Sequence, residues 1–169
     1  MRVSDYLERL INWETAMMLC IFGGVAVLAR KWIARWLRLS GGGLFFTTAS
    51  LVGIFAFTFR VWEGNGTSDT FWAFDGFAWT QLNRSFGNGF LNMALFVPAA
   101  ACLVLNGKKW FFVIPSLALL SAFIETAQTF TRWGVGDPAD FVANIWGAVI
   151  GCLLAGICLG VAGLVRHFR

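Results

Sequence analysis

Histidine occurs once in this chain, and charged residues make up only 13% of it. The single histidine, His167, sits in a basic tail. The four cysteines, Cys20, Cys102, Cys152 and Cys158, are scattered through apolar stretches with no metal-ligand spacing. Metal chemistry built on His and Cys is thereby excluded, and no cofactor motif is present. The cysteines read as small buried hydrophobes. Charge is too scarce for a water-soluble surface, since soluble domains carry about 25% charged residues. Alternation of polar and apolar residues with period two, the mark of a membrane barrel strand, is missing. No repeat or low-complexity tract is evident.

What the chain does have is apolar bulk: 58% hydrophobic residues, 18 Phe and 9 Trp among 169, and a mean hydropathy of +0.70. Water does not tolerate that much apolar surface on so short a chain; lipid does. Five runs stand out. The first covers about Thr15 to Ala29 and reaches spanning length as Asn12 to Trp32. The others are Gly41 to Phe59, Gly89 to Leu105, Trp110 to Phe130 with the one acid Glu125, and Phe141 to Val165. A hydrocarbon core needs about 20 helical residues. The expectation is an all-α polytopic membrane protein with five transmembrane helices, forming a single membrane domain over residues 1–169.

Basic residues then orient it. Arg30, Lys31, Arg35, Arg38, Lys108, Lys109, Arg166 and Arg169 fall on one side with no acid among them. The nine acids and five remaining basic residues collect on the other side. Cytoplasmic loops favour Lys and Arg. The N-terminus should lie outside and the C-terminus in the cytoplasm, as an odd number of spans requires. The net charge of +4 is thus an orientation signal and gives no reason to expect a nucleic-acid partner. A cleaved signal peptide would need its positive charge ahead of the first run; here the strong cluster follows it. Residues 3–13 carry Val3, Tyr6, Leu7, Leu10 and Ile11 at helical spacing and read as an amphipathic lead-in. Residues 60–88 form an aromatic-rich loop expected at headgroup level.

The remaining polar residues form a constellation. In the fourth run Ser121, Glu125, Gln128 and Arg132 are spaced 4, 3 and 4, which places them on one stripe of a helix. In the fifth, Asp140, Asn144, Gly147 and Gly151 repeat that spacing, with small residues deeper, where they let helices approach closely. The third adds Asn88 and Asn92 at its outer end. Glu125 lies five residues before its run ends, about 7.5 Å along the axis, so Asn92, Glu125 and Asn144 are expected to share one level. A carboxylate there cannot face lipid and needs polar partners. The reading is a polar pocket opening outward between the last three spans. Beside it stands a plainer one: a buried Glu125–Arg132 pair fixing register, asparagines as interhelical glue, a turn at Asp137-Pro138, and Asp140 as N-cap of the fifth helix.

These residues also carry a resemblance. Asn92-Met-Ala-Leu-Phe96-Val-Pro98, Ile124-Glu125-Thr-Ala-Gln128, and Asp137-Pro-Ala-Asp140 running on through Asn144, Gly147 and Gly151 resemble three motifs of the VanZ-like membrane proteins, in the same order and spacing. The match covers about residues 88–155, the three-helix core. Where the family often has an arginine six residues before the second aspartate, this chain has Gly134, with Arg132 two residues earlier. The resemblance implies a multi-pass protein of the bacterial cytoplasmic membrane with a cell-envelope role, in a family named for resistance to a glycopeptide antibiotic. It does not bring an established reaction.

Three functions follow as expectations. One is binding of a polar headgroup, a lipid-linked cell-wall precursor or a glycopeptide by Asn92, Gln128, Arg132, Asp137 and Asn144. Another is a hydrolase or transferase acting on an envelope lipid, with Glu125 as general acid or base and Asp140 as its partner. Apart from carboxylates, its available nucleophiles are Ser121 and Thr129. The third is a structural or assembly subunit; oligomeric state is left open.

Overall fold

The computed structural model describes residues 13–39, 41–59, 86–131 and 136–167. The N-terminal lead-in, most of the aromatic loop and Arg132 lie outside the described residues. Five helices make up the rest: α1 (Trp13–Leu37), α2 (Gly41–Thr58), α3 (Phe86–Leu105), α4 (Trp110–Thr131) and α5 (Pro138–His167). Among the described residues there is no strand. Four helices, α1, α2, α4 and α5, are long and apolar enough to cross a membrane; α3 offers the shorter apolar stretch Gly89–Leu105.

The boundaries follow the apolar runs, with a few differences. Helix α1 continues to Leu37, so Arg30, Lys31 and Arg35 stand on a helix and not in a connector. Arginine and lysine are good helix formers, and the Arg35 Nε donates back to the Lys31 carbonyl at 3.3 Å. Helix α3 begins at Phe86, three residues before the apolar run.

Both connectors at the basic end use one C-terminal device. After α1 the Arg38 and Leu39 amides donate to the Arg35 and Ala34 carbonyls, with Arg38 in the left-handed region at φ 50°. After α3 the Gly107 and Lys108 amides donate to the Val104 and Leu103 carbonyls, with Gly107 at φ 83°. This is the Schellman arrangement, which satisfies carbonyls left over at a helix end. Glycine adopts it without steric cost; arginine does not.

Close contacts fix the topology. Phe22 of α1 meets Phe55 of α2 and Phe59 just after it, so low numbers face high ones and the pair is antiparallel. Gly43 near the start of α2 lies against Asn106 after α3. Helices α3 and α5 run parallel: Gly89 faces Ala143, Gly147 faces Met93 and Phe96, and Gly151 faces Val97 and Ala100. A Cβ on Gly147 or Gly151 would run into the Met93 or Val97 carbonyl oxygen. The small-residue spacing on α5 therefore seats it on the α3 backbone. Phe96, Ala99 and Ala100 of α3 and Ala148 of α5 are fully buried in the resulting seam.

The distribution of polarity is inverted relative to a soluble protein. Thr47, Ser121, Glu125, Gln128 and Asn144 are buried, whereas Leu28, Phe112, Leu119 and Phe130 are exposed, Phe130 at 81%. In water such an outer surface would be a severe liability. In lipid it costs nothing, and the scarce polar groups must then satisfy one another inside.

Candidate functional site

The polar residues converge where α5 begins, between α4 and α3. Asp137 precedes Pro138, the first residue of α5. Its side-chain Oδ1 accepts the Ala139 amide at 2.8 Å, and its carbonyl accepts the Asp140 and Phe141 amides. Asp137 is therefore the N-cap, and Pro138 occupies the first helical position, where its missing N–H costs no bond. This corrects the expectation that Asp140 caps α5. Asp140 sits three residues into the helix.

In a capping box the third-position acid reaches back to the N-cap amide. Here a residue of another helix takes that amide: Glu125 Oε2 of α4 accepts the Asp137 N–H at 2.9 Å. Glu125 is 2% exposed. Asp140 is thereby free of the capping task. Its carboxyl faces the Asn92 side-chain amide of α3 instead, and its Oδ1 is buried with no hydrogen-bond partner among the described residues. Asp137 and Asp140 lie close enough to Glu125 for all three carboxyls to interact electrostatically. The positive dipole end of α5 is what makes such an acidic cluster tolerable.

One turn deeper, Asn144 of α5 donates from Nδ2 to Ser121 Oγ of α4 at 2.9 Å. Both residues are essentially inaccessible, and Asn144 Oδ1 has no partner. The constellation thus occupies two layers and not one level. Asn92, Glu125, Asp137 and Asp140 form the outer layer, and Ser121 with Asn144 the inner. Antiparallel α4 and α5 produce the stagger, since each step down one helix is a step back along the other.

Gln128 has another occupation. Its Nε2 donates to the Thr58 carbonyl at 2.6 Å, tying the end of α4 to the end of α2. Thr58 supplies an otherwise unmatched C-terminal carbonyl of that helix. Gln128 is buried, and its side-chain Nε2 is engaged by this bond. Arg132 and the side chain of Asn88 lie outside the described residues. Ser121, which the sequence marked by its position on the α4 stripe and as a candidate nucleophile, is a member of the site. The Thr58 carbonyl and the Asp137 amide had no side-chain signal at all.

The described side chains present acceptors in excess. Two carboxylates, Asp137 and Asp140, flank Glu125, the Asn144 carbonyl oxygen lies a turn deeper, and the donors Asn92 and Asn144 are already directed at protein partners. Among the described residues no group of His, Cys, Asp and Glu has the geometry to hold a metal ion.

Compared with known protein families, residues 15–159, most of the chain, match the model of the VanZ/LLP1 family. No curated protein matches the chain, and neither does any solved structure.

Proposed function

The chain belongs to the VanZ/LLP1 family, and from that premise we propose that it is a five-span cell-envelope protein that binds the polar headgroup of a lipid-linked ligand at the start of α5. Helix α3 counts as the fifth span because it lies parallel to α5, backbone against glycine. In this reading the site faces outward and the basic end, with Arg30, Lys31, Arg35 and Lys108, faces the cytoplasm.

The observation that carries the reading is the pair of buried acceptors without partners, Asp140 Oδ1 and Asn144 Oδ1. Leaving such a group unsatisfied costs about 1–3 kcal/mol each. A ligand bringing N–H or O–H donors would remove that cost; a phosphate would not. The headgroup class is therefore one rich in hydroxyls, amines or amides. Lipid-linked cell-wall precursors and glycopeptides both carry such donors in their sugars and peptides, and either would connect the site to glycopeptide resistance.

A second reading has one observation in its favour. Glu125 and Asp140 are neighbouring carboxyls on different helices, as a general acid–base and its partner would be. Hydrolysis or group transfer on an envelope lipid is the alternative function.

Mass spectrometry of co-purified lipids and glycolipids tests the first reading, comparing wild type with Asp140→Asn and Glu125→Gln. The expected result is a donor-rich headgroup held by wild type and lost from Asp140→Asn at unchanged melting temperature. Identical lipid profiles in all three proteins would refute it.

A further inference from the structure

At the opposite end of the molecule, α1 and α2 part to leave a groove of about 380 Å³. Gly23, Ala26 and Arg30 form one wall and Gly41, Leu44 and Thr48 part of the other. On α1 the lining residues recur at intervals of three and four, and on α2 they do so from Gly41 to Val52, about 16 Å at 1.5 Å per residue. The two helices touch through Phe22 and Phe55 further along, with ring centroids 5.4 Å apart. Nearer the basic end the small residues Gly23, Ala26, Gly41 and Ala49 leave space between the helices. Nothing lies within 4 Å of where a Cβ on Gly23 or Gly41 would be.

The groove is apolar along its length and charged at its mouth. Arg30 is exposed there, and Lys31, Arg35 and Arg38 follow within about two turns of chain. Between Thr15 and Phe59 the sequence has no acidic residue. The N-terminus of α2 opens at the same end, and its first N–H groups have no acceptor within the helix. A long apolar slot ending in uncompensated positive charge complements an amphiphile with an acyl chain and a negative head.

We propose that the α1–α2 groove is a binding site for an anionic phospholipid from the adjoining leaflet, one acyl chain lying between the helices and the phosphate held at Arg30. The bilayer supplies this molecule, and basic recesses between membrane helices recognise such head groups. The site is separate from the one at the start of α5, which presents acceptors and would repel a phosphate.

The test uses the full chain in detergent, titrated with phosphatidylglycerol or phosphatidylcholine of identical acyl chains and read by native mass spectrometry. Wild type should retain phosphatidylglycerol in preference. Arg30→Gln should weaken phosphatidylglycerol about fivefold, the effect of one cationic side chain at a membrane surface, and phosphatidylcholine, whose choline offsets its phosphate, by less. Gly23→Leu and Ala49→Leu fill the groove from its two walls with the charges intact, and each should reduce retention of both lipids. Equal retention of the two lipids by wild type would overturn the proposal. So would undiminished phosphatidylglycerol binding in both groove-filling variants, which would place the preference on surface charge alone.

Discussion

Glycine serves two opposite purposes on α5, and substitution by alanine separates them. At Gly151 an added Cβ would meet the Val97 carbonyl oxygen, lie 2.8 Å from Ala100 Cβ and 3.1 Å from the Ala101 nitrogen. Two of those obstacles are backbone, so no side-chain rotation relieves them. The helices must separate by several tenths of an ångström, and the whole α3–α5 seam loses contact. Overpacking of this kind costs about 1–3 kcal/mol, and a rigid obstacle argues for the upper end. Alanine regains about 1 kcal/mol of helix propensity. The net expectation for Gly151→Ala is a loss of about 2 kcal/mol, or about 4–8 °C in Tm for a chain of this size. Gly147→Ala should behave alike, because its Cβ would meet the Met93 carbonyl. At Gly156 and Gly160 nothing lies within 4 Å of the added atom. There only the propensity gain operates, and alanine should be neutral or stabilising by up to about 1 kcal/mol. Tryptophan-fluorescence melting of the four variants in one detergent compares them directly. If Gly151→Ala and Gly156→Ala melt together, the backbone-to-glycine seating of α5 on α3 is wrong.

Four further outcomes are expected. Glu125→Gln keeps an acceptor for the Asp137 amide and should leave Tm nearly unchanged, while Glu125→Ala orphans that amide and should lose about 1–3 kcal/mol; equal melting of the two would contradict the interhelical cap. Gln128→Leu should lower stability by about 1 kcal/mol through the lost bond to the Thr58 carbonyl without changing which lipids co-purify, and a changed lipid profile would return Gln128 to the binding site. Arg38→Gly should raise stability by about 1 kcal/mol, because glycine adopts the left-handed conformation without strain; a fall in Tm would refute the turn's reading. With native cysteines replaced, a single cysteine at position 169 should react with a membrane-impermeant maleimide only after the cells are opened, and labelling of intact cells would reverse the proposed orientation.

Much of this was open to inspection in the primary structure, because it is a property of single helices. A run of apolar residues is helical in lipid for want of any other hydrogen-bond partner, so the five segments could be placed to within a few residues. Periodicity is equally local. Ser121, Glu125 and Gln128 share one stripe of α4 whatever lies opposite, and Gly147 with Gly151 marks one close-packing face of α5. Contact between stripes is another matter, since it depends on how far one helix slides along its neighbour. That slide pairs Asn144 with Ser121 and not with Glu125, so one expected level became two. It brings Glu125 to a backbone amide, a partner no residue type announces. It sends Gln128 to the end of α2, away from the site. Composition and spacing by themselves determined an all-helical protein with apolar helices of membrane length and a polar seam. Only tertiary packing decided which acceptors in that seam are satisfied and which, at Asp140 and Asn144, have no hydrogen-bond partner among the described residues.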